Sequence, residues 1–503
     1  MNATEQSGSA ELLRGAGVIF SGHLVGRALS FLYHLLLARF LGPIEYGVFL
    51  LGLAVFSFAS LMADLGLRWG VLRQTAEAEG RGELALVKGT ILGGALLALG
   101  GSLVGVAGLL LVRGWAASSF KASDLSWLLP VFALALPFAT LGTISMSSLQ
   151  ALKRMGALST IQYLLDPVLR ILTFTGLVLL GGRLFAAAAS HLLTSVAVAV
   201  VGFVWLSASF PLLSRALRPR FSPSPLLAFS LPLLVSNVVG FVLQWADTLF
   251  LGYYLTAGEV GLYGAAGRLA GLGAIFLTAV GTIFAPKIYA LYGQGELAEV
   301  GRLYQRSTRW ILMLAVPLFL YTALNAEFLL TLFGAEFVKG APALLTLAAA
   351  TLVMTGTGPA GDVILMTGRS RVVLYASAAS GALGLGLNAY LIPRLGLLGA
   401  ALATGLTLAS GNLGNVLLAW RFTGLQPYTR AIVKPILLAC AVAGLQAVVD
   451  PFLGEAPVVR LVAAAGVWLL YPILLWRLGL EAEDLEVWRF VRGSSACAGS
   501  SGS

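Results

Sequence analysis

Charge is what this sequence has least of. Only 11% of its 503 residues are charged while 58% are hydrophobic, against roughly 25% charged residues in a soluble domain. A soluble chain of this length is excluded, because it would have too little polar surface to stay dissolved. Cysteine is almost absent: Cys440 lies in an apolar run and Cys497 near the end, which rules out a disulfide framework. Histidine is just as sparse. His23 and His34 stand eleven residues apart, about three helical turns, and with His191 they make no metal-chelating set. Walker A, Gly-x-Ser-x-Gly and His-Glu-x-x-His patterns are missing. The chain therefore cannot drive pumping by its own ATP hydrolysis, and nothing in it signals an enzyme.

Long apolar runs are abundant, for example 89–112, 125–149 and 433–449. About 20 apolar residues suffice for a helix to cross a ~30 Å hydrocarbon core. Sixty glycines would weaken soluble helices, but in a bilayer they let helix backbones approach closely. The runs mark about fourteen spans, near 12–40, 47–72, 86–112, 125–150, 158–181, 184–208, 226–252, 261–291, 310–333, 341–367, 372–393, 397–421, 430–450 and 457–477. Residues 1–11 are polar and acidic with no cleavage site, so the first segment is expected to be retained rather than removed as a signal peptide.

The net charge of +10 does not point to nucleic acid, because the basic residues are dealt out in small groups between the runs. Lys and Arg are roughly threefold more frequent at alternate span ends, beginning with the N-terminal side. The positive-inside rule then places both termini in the cytoplasm of a cell (inner or plasma) membrane protein. That result requires an even number of spans.

A weak duplication appears at a shift of about 214–216 residues. The stretch 41–49 (LGPIEYGVF) matches 255–263 (LTAGEVGLY), aligning Glu45 with Glu259 and Gly47 with Gly261, and 149–154 matches 365–370. We expect an N-terminal lobe of six spans (1–212), a C-terminal lobe of six (213–424), an extra helix pair (425–478) and a cytoplasmic tail (479–503) whose low-complexity end is disordered. Six spans per lobe give both lobes one orientation, related by an axis along the membrane normal, with a substrate site between them.

Ionisable residues inside spans are costly and point to function. Asp64 with Arg68, and Asp166 with Arg170, are each four apart, the spacing of an ion pair on one helix face. These four are gating or ion-coupling candidates whose bland reading is structural neutralisation. Arg27 and Arg268 have no opposite charge on their own helix, and the repeat places Phe241 where a partner of Arg27 would fall. Guanidinium suits phosphate, so both are candidate anion contacts, although Arg268 could instead pair with Asp247. Asp247 and Asp362 are candidates for coupling H+ or Na+; no other cofactor is expected. Asn237, Gln244, Asn388, Asn412 and Asn415 could line a cavity or bond between helices. Trp245, Tyr253 and Tyr254 suit either sugar stacking or an interfacial belt.

The chain also resembles a known family over nearly its whole length, with sharp motifs at about residues 12–80. The turn 38–47 (ARFLGPIEYG) is similar to an "ARxLGPxEYG" pattern after the first span of polysaccharide flippases, with Leu12-Leu13-Arg14-Gly15 and Gly26-Arg27 before it. Ala63-Asp64-Leu65-Gly66-Leu67 followed by Arg73 is similar to the end of that family's second span. The chain thus resembles the polysaccharide branch of the multidrug/oligosaccharidyl-lipid/polysaccharide exporter superfamily. The resemblance implies an all-α polytopic fold of two lobes plus two helices. It also implies flipping of a polyprenyl-pyrophosphate-linked oligosaccharide by alternating access, alongside other glycan-assembly proteins. Related peptidoglycan-precursor flippases line their cavity with arginines of the first and eighth helices, which here are Arg27 and Arg268, and Arg39 joins them as a substrate candidate. With Arg68 paired to Asp64, the second span would lack the denser basic cluster of those flippases, favouring an O-antigen-like or capsular carrier over lipid II. The alternatives are a lipid II flippase, a cation-coupled small-molecule exporter, a membrane glycan polymerase or ligase, and a non-transporting scaffold.

Overall fold

The computed structural model describes residues 3–452 and 457–479, with side chains from residue 22 on apart from 282–283, 457–459, 461–462 and 479. The expected disordered tail, and the side chains of 12–15 within the first motif, lie outside the described residues. Among the described residues every regular element is helical.

The helices are α1 (Ala3–Asp64), α2 (Leu67–Gly80), α3 (Leu84–Ser119), α4 (Leu125–Ala151), α5 (Met155–Leu179) and α6 (Leu184–Ser209). They continue as α7 (Pro223–Tyr254), α8 (Ala257–Gly293), α9 (Leu297–Leu324), α10 (Ala335–Met366), α11 (Ser370–Thr423), α12 (Arg430–Phe452) and α13 (Ala463–Leu478). Two of these are too long for one crossing. The 62 residues of α1 and 54 of α11 correspond to roughly 90 Å and 80 Å, against a ~30 Å core. Each carries one residue with non-helical backbone, Gly42 (φ 71°) and Gly396 (φ 59°), beside Pro43 and close to Pro393. Each therefore reads as two spans joined at a kink. Among the described residues eleven helical stretches, some with a short break, are long and apolar enough to cross a membrane; splitting the two double ones and adding the shorter α13 gives fourteen, the number of spans in the sequence reading. The chain is an all-α multi-pass membrane protein. Leu96, Val104 and Leu111 stand outward on α3 at helical spacing, 70%, 74% and 83% exposed, an apolar face that only lipid would cover.

The described residues pack into two compact units. The first comprises 1–272, 330–350 and 370–411; the second comprises 273–329, 351–369 and 412–503. In the first unit the kink of α1 lies on the start of α8, and the contact is made by the repeated glycines. A Cβ on Gly47 would collide with the Ala257 carbonyl and crowd the Gly261 nitrogen, while one on Gly261 would strike the Pro43 carbonyl. The matched glutamates do different work there. Glu45 pairs with Arg183 at 3.4 Å, whereas Glu259 closes a capping box with Thr256. Arg183 also donates to the Leu41 carbonyl at 3.1 Å, tying the turn between α5 and α6 to the α1 kink.

In the second unit the buried Gln446 amide holds the last helices together. Its Nε2 donates to Asn325 Oδ1 and to Asp450 Oδ2, both at 3.1 Å, and its Oε1 accepts from Trp468 Nε1 at 2.7 Å. Tyr471 of α13 donates to the Met313 carbonyl of α9 at 2.8 Å. Buried polar groups joined this way fix how α12 and α13 dock on α9.

A basic face on the first two spans and a carboxylate cluster opposite chemistry

Gly22 and Gly26 form a groove on α1 that receives Tyr163; a Cβ on either would lie 3.0–3.1 Å from it. Tyr163 belongs to a π-helical turn, Thr160–Leu165, within α5. Such turns carry one extra residue per turn and re-aim a side chain. The Tyr163 hydroxyl meets His23 Nε2 at 2.6 Å. Arg27 sits one turn further along α1, exposed, with no ion pair or hydrogen bond among the described residues.

Arg68 joins the same neighbourhood, which the sequence does not suggest. The expected Asp64–Arg68 pair does not form, because α1 ends at Asp64 and the backbone turns left-handed at Leu65 (φ 51°) and Gly66 (φ 74°). The i,i+4 geometry needs a continuous helix. Asp64 instead accepts the backbone N–H of Arg68, and its buried Oδ1 has no partner among the described residues. Gly66 is needed at this break, since a Cβ there would strike the Ser230 carbonyl of α7. The exposed Arg68 guanidinium lies 5.2 Å from the Trp69 ring, and its field reaches Tyr163 as that of Arg27 reaches His23. Neither guanidinium forms an ion pair among the described residues, though the charge of Arg68 is also felt by Asp64.

Asp166 and Arg170 do pair, because their helix is unbroken. Nε and one Nη of Arg170 each lie 3.0 Å from a different carboxylate oxygen, and the other Nη is 2.8 Å from His191 Nδ1. The buried Tyr33 and Ser190 hydroxyls, 3.2 Å apart, extend this network between α1 and α6.

Arg268 takes neither Asp247 nor Arg27 as neighbour. It is half-buried beside Tyr46 and His34, themselves 3.2 Å apart, about two turns, roughly 10 Å, along α1 from Arg27. Asp247 is satisfied without a cation. Its carboxylate accepts from the Tyr263 hydroxyl and the Thr248 N–H, both at 2.6 Å, and from Thr404 at 3.3 Å. The cluster ties α7, α8 and α11 together, and among the described residues no His, Cys, Asp or Glu group of three could hold a metal.

The remaining candidates are dispersed. Arg39 donates to the Thr331 and Leu332 carbonyls, both at 3.3 Å, and so closes a helix end. Asn237 and Gln244, seven residues apart on one face of α7, have no hydrogen-bond partner among the described residues. Asn388 is buried, donating to Gly384 with its Oδ1 unpartnered. Tyr253 and Tyr254 are exposed at the end of α7, their rings 5.2 Å apart, as in an interfacial belt. In the second unit Asp362 opens a short helix after Pro359, without a hydrogen bond among the described residues, and Gly281 leaves room for its Oδ2. Asn415 lies close to Gly361 with its Oδ1 buried and unpartnered. Tyr163, Tyr263 and Thr404 escaped the sequence reading. The Gly-x-x-x-Gly of 22–26 signals a close neighbour for α1 but not which residue fills the groove.

Comparison with known proteins agrees with this architecture. Residues 12–288 match the family described as "Polysaccharide biosynthesis protein", and residues 232–390 match the family "MatE". The "Probable low-salt glycan biosynthesis flippase Agl15" of Haloferax volcanii is 26% identical over 413 residues, covering 79% of this chain and 81% of that protein. Among solved structures, lipid II flippase MurJ superposes with a TM-score of 0.73 at 14% identity, covering 92% of this chain and 99% of that one. A multidrug resistance MATE transporter of the MOP superfamily superposes with a TM-score of 0.66 at 18% identity, covering 83% and 99%. These structural likenesses speak for the fold alone. The sequence match runs over more than half of the chain and the fold agrees with it, so the chain belongs to the polysaccharide biosynthesis protein family.

Proposed function

We propose that the chain is a flippase for a polyprenyl-pyrophosphate-linked oligosaccharide, moving it from the inner to the outer leaflet by alternating access. It is a transporter and not an enzyme. The observation that carries the reading is the pair of exposed guanidinium groups, Arg27 and Arg68, set on apolar spans and forming no ion pair among the described residues, with Asp64 the carboxylate whose field meets Arg68. An unpaired guanidinium on a span is costly, and a pyrophosphate offsets that cost with charge-assisted, bidentate hydrogen bonds. The glycan flippase Agl15 of Haloferax volcanii supports a lipid-linked glycan as cargo.

In this reading the pyrophosphate is held by Arg27 and Arg68, with Arg268 as the next contact two turns along α1. The sugar crosses through water while the polyprenyl tail stays in lipid. Asn237 and Gln244 on α7 supply neutral hydrogen bonds to sugar hydroxyls. The lobes 1–212 and 213–424 rock about the pseudo-twofold axis near Gly47 and Gly261, with 425–478 as an additional pair and both termini cytoplasmic. Asp247, already saturated by Tyr263, Thr248 and Thr404, locks helices together, which leaves Asp362 as the better candidate for coupling to H+ or Na+.

The test is leaflet translocation of a fluorescent polyprenyl-pyrophosphate oligosaccharide in proteoliposomes. The double variant Arg27→Ala/Arg68→Ala is expected to slow translocation at least tenfold, since a lost charged hydrogen bond costs about 1.5–3 kcal/mol. Wild-type rates in that variant would reject the pyrophosphate clamp.

A further inference from the structure

A second basic site lies away from this face, in a recess of about 480 Å³ formed by the end of α2, the start of α3 and the segment leading into α7. Its size falls within the ~300–1,000 Å³ of small-molecule sites. The back wall is rigid. Lys88 is buried and donates to the Ser214 and Leu217 carbonyls at 2.6 and 3.0 Å, and the Arg220 N–H donates to Ala85 at 2.9 Å. Gly89 and Gly93 let Arg220 and Phe221 lie directly on α3, where any Cβ would collide.

The recess carries three arginines and two carboxylates, Arg73, Arg81, Arg220, Glu77 and Glu83. Arg73 is already engaged, 2.7 Å from Glu77 and 4.5 Å over the Phe229 ring. Arg81 and Arg220 form no ion pair among the described residues. Ser222, the N-cap of the 32-residue α7, makes no capping bond with its side chain, and its hydroxyl at the positive end of that helix dipole has no hydrogen-bond partner among the described residues. Orienting the chain requires only that basic residues be present at these span ends. It does not require a recess lined by two guanidinium groups outside any ion pair among the described residues, together with a helix N-terminus.

We infer that this recess binds a phosphate-bearing anion, held by Arg81, Arg220 and Ser222 where the connection between the two repeats is strapped to α3. Phe221, 40% exposed, and Leu86 give the recess an apolar rim. The rim favours a phospholipid headgroup whose chains lie along α2 and α3; a soluble phosphate would use the same polar contacts. Occupancy would tie α2, α3 and α7 together and stabilise that connection, whatever the cargo.

The experiment is thermal unfolding of the full-length protein in mild detergent, with phosphatidylglycerol, phosphatidylcholine or inorganic phosphate added at matched ionic strength. Phosphatidylglycerol is expected to raise the midpoint by about 2–4 °C over phosphatidylcholine, the shift typical of saturating a specific site. Arg81→Gln/Arg220→Gln should abolish the rise. Ser222→Asp should also abolish it, and because Asp is a favoured N-cap that variant tests the site without threatening the fold. A rise with inorganic phosphate alone, lost in the same variants, would support the site and assign it to a soluble ligand. No rise with either probe, or a full rise in Ser222→Asp, would overturn the inference.

Discussion

Asp64–Arg68 and Asp166–Arg170 have the same spacing and opposite outcomes. On the unbroken helix around 166–170 the carboxylate and guanidinium meet through two 3.0 Å contacts. At 64–68 two left-handed residues, Leu65 and Gly66, end the helix between the partners. The carboxylate is then answered by a main-chain N–H, and the guanidinium is left exposed over Trp69. A four-residue spacing predicts pairing only where the backbone continues. Here the break turns a would-be structural arginine into a candidate ligand.

The difference can be broken most severely at the intact pair. Arg170→Ala should cost roughly 2–4 kcal/mol by leaving Asp166 and His191 without their partner, read as a lowered unfolding midpoint in detergent. Gly66→Ala comes next. A left-handed non-glycine residue costs about 1–2 kcal/mol, and the added Cβ meets the Ser230 carbonyl of α7, so thermal unfolding should again report the loss. Double-mutant cycles sharpen the comparison: coupling between Asp166 and Arg170 of about 1–3 kcal/mol, and below about 0.5 kcal/mol between Asp64 and Arg68. The smallest effect on stability is expected for Arg68→Ala alone, within about 0.5 kcal/mol of wild type, because the side chain is exposed and the Asp64 hydrogen bond uses only the backbone.

Most of the fold was legible in the sequence because the bilayer imposes it. Apolar run length gives the spans, and turns such as Gly42-Pro43 and Pro393 to Gly396 divide the two helices too long for one crossing. The Gly47–Gly261 match was legible in the sequence, and the structure brings the two glycines into contact. The site was legible only in part. Arg27 stands out because a lone arginine in an apolar span has no bland partner on its helix. Arg68 was hidden, since Leu65 gives no sequence sign of a positive φ and the family turn around it reads as continuous. The true neighbours of Asp247 and Arg268 come from helices far apart in sequence, Tyr263 with Thr404 and Tyr46 with His34, and periodicity cannot rank such contacts. The π-helical turn that aims Tyr163 at His23 likewise depends on packing against α1.

The central claim is that Arg68 acts on the cargo and not on the fold. Its most direct test is translocation of the labelled polyprenyl-pyrophosphate oligosaccharide by Arg68→Ala, measured with the unfolding midpoint of the same preparation. The account predicts translocation reduced at least about tenfold with an unchanged midpoint. Unimpaired translocation, or a loss that follows a lowered midpoint, would contradict it.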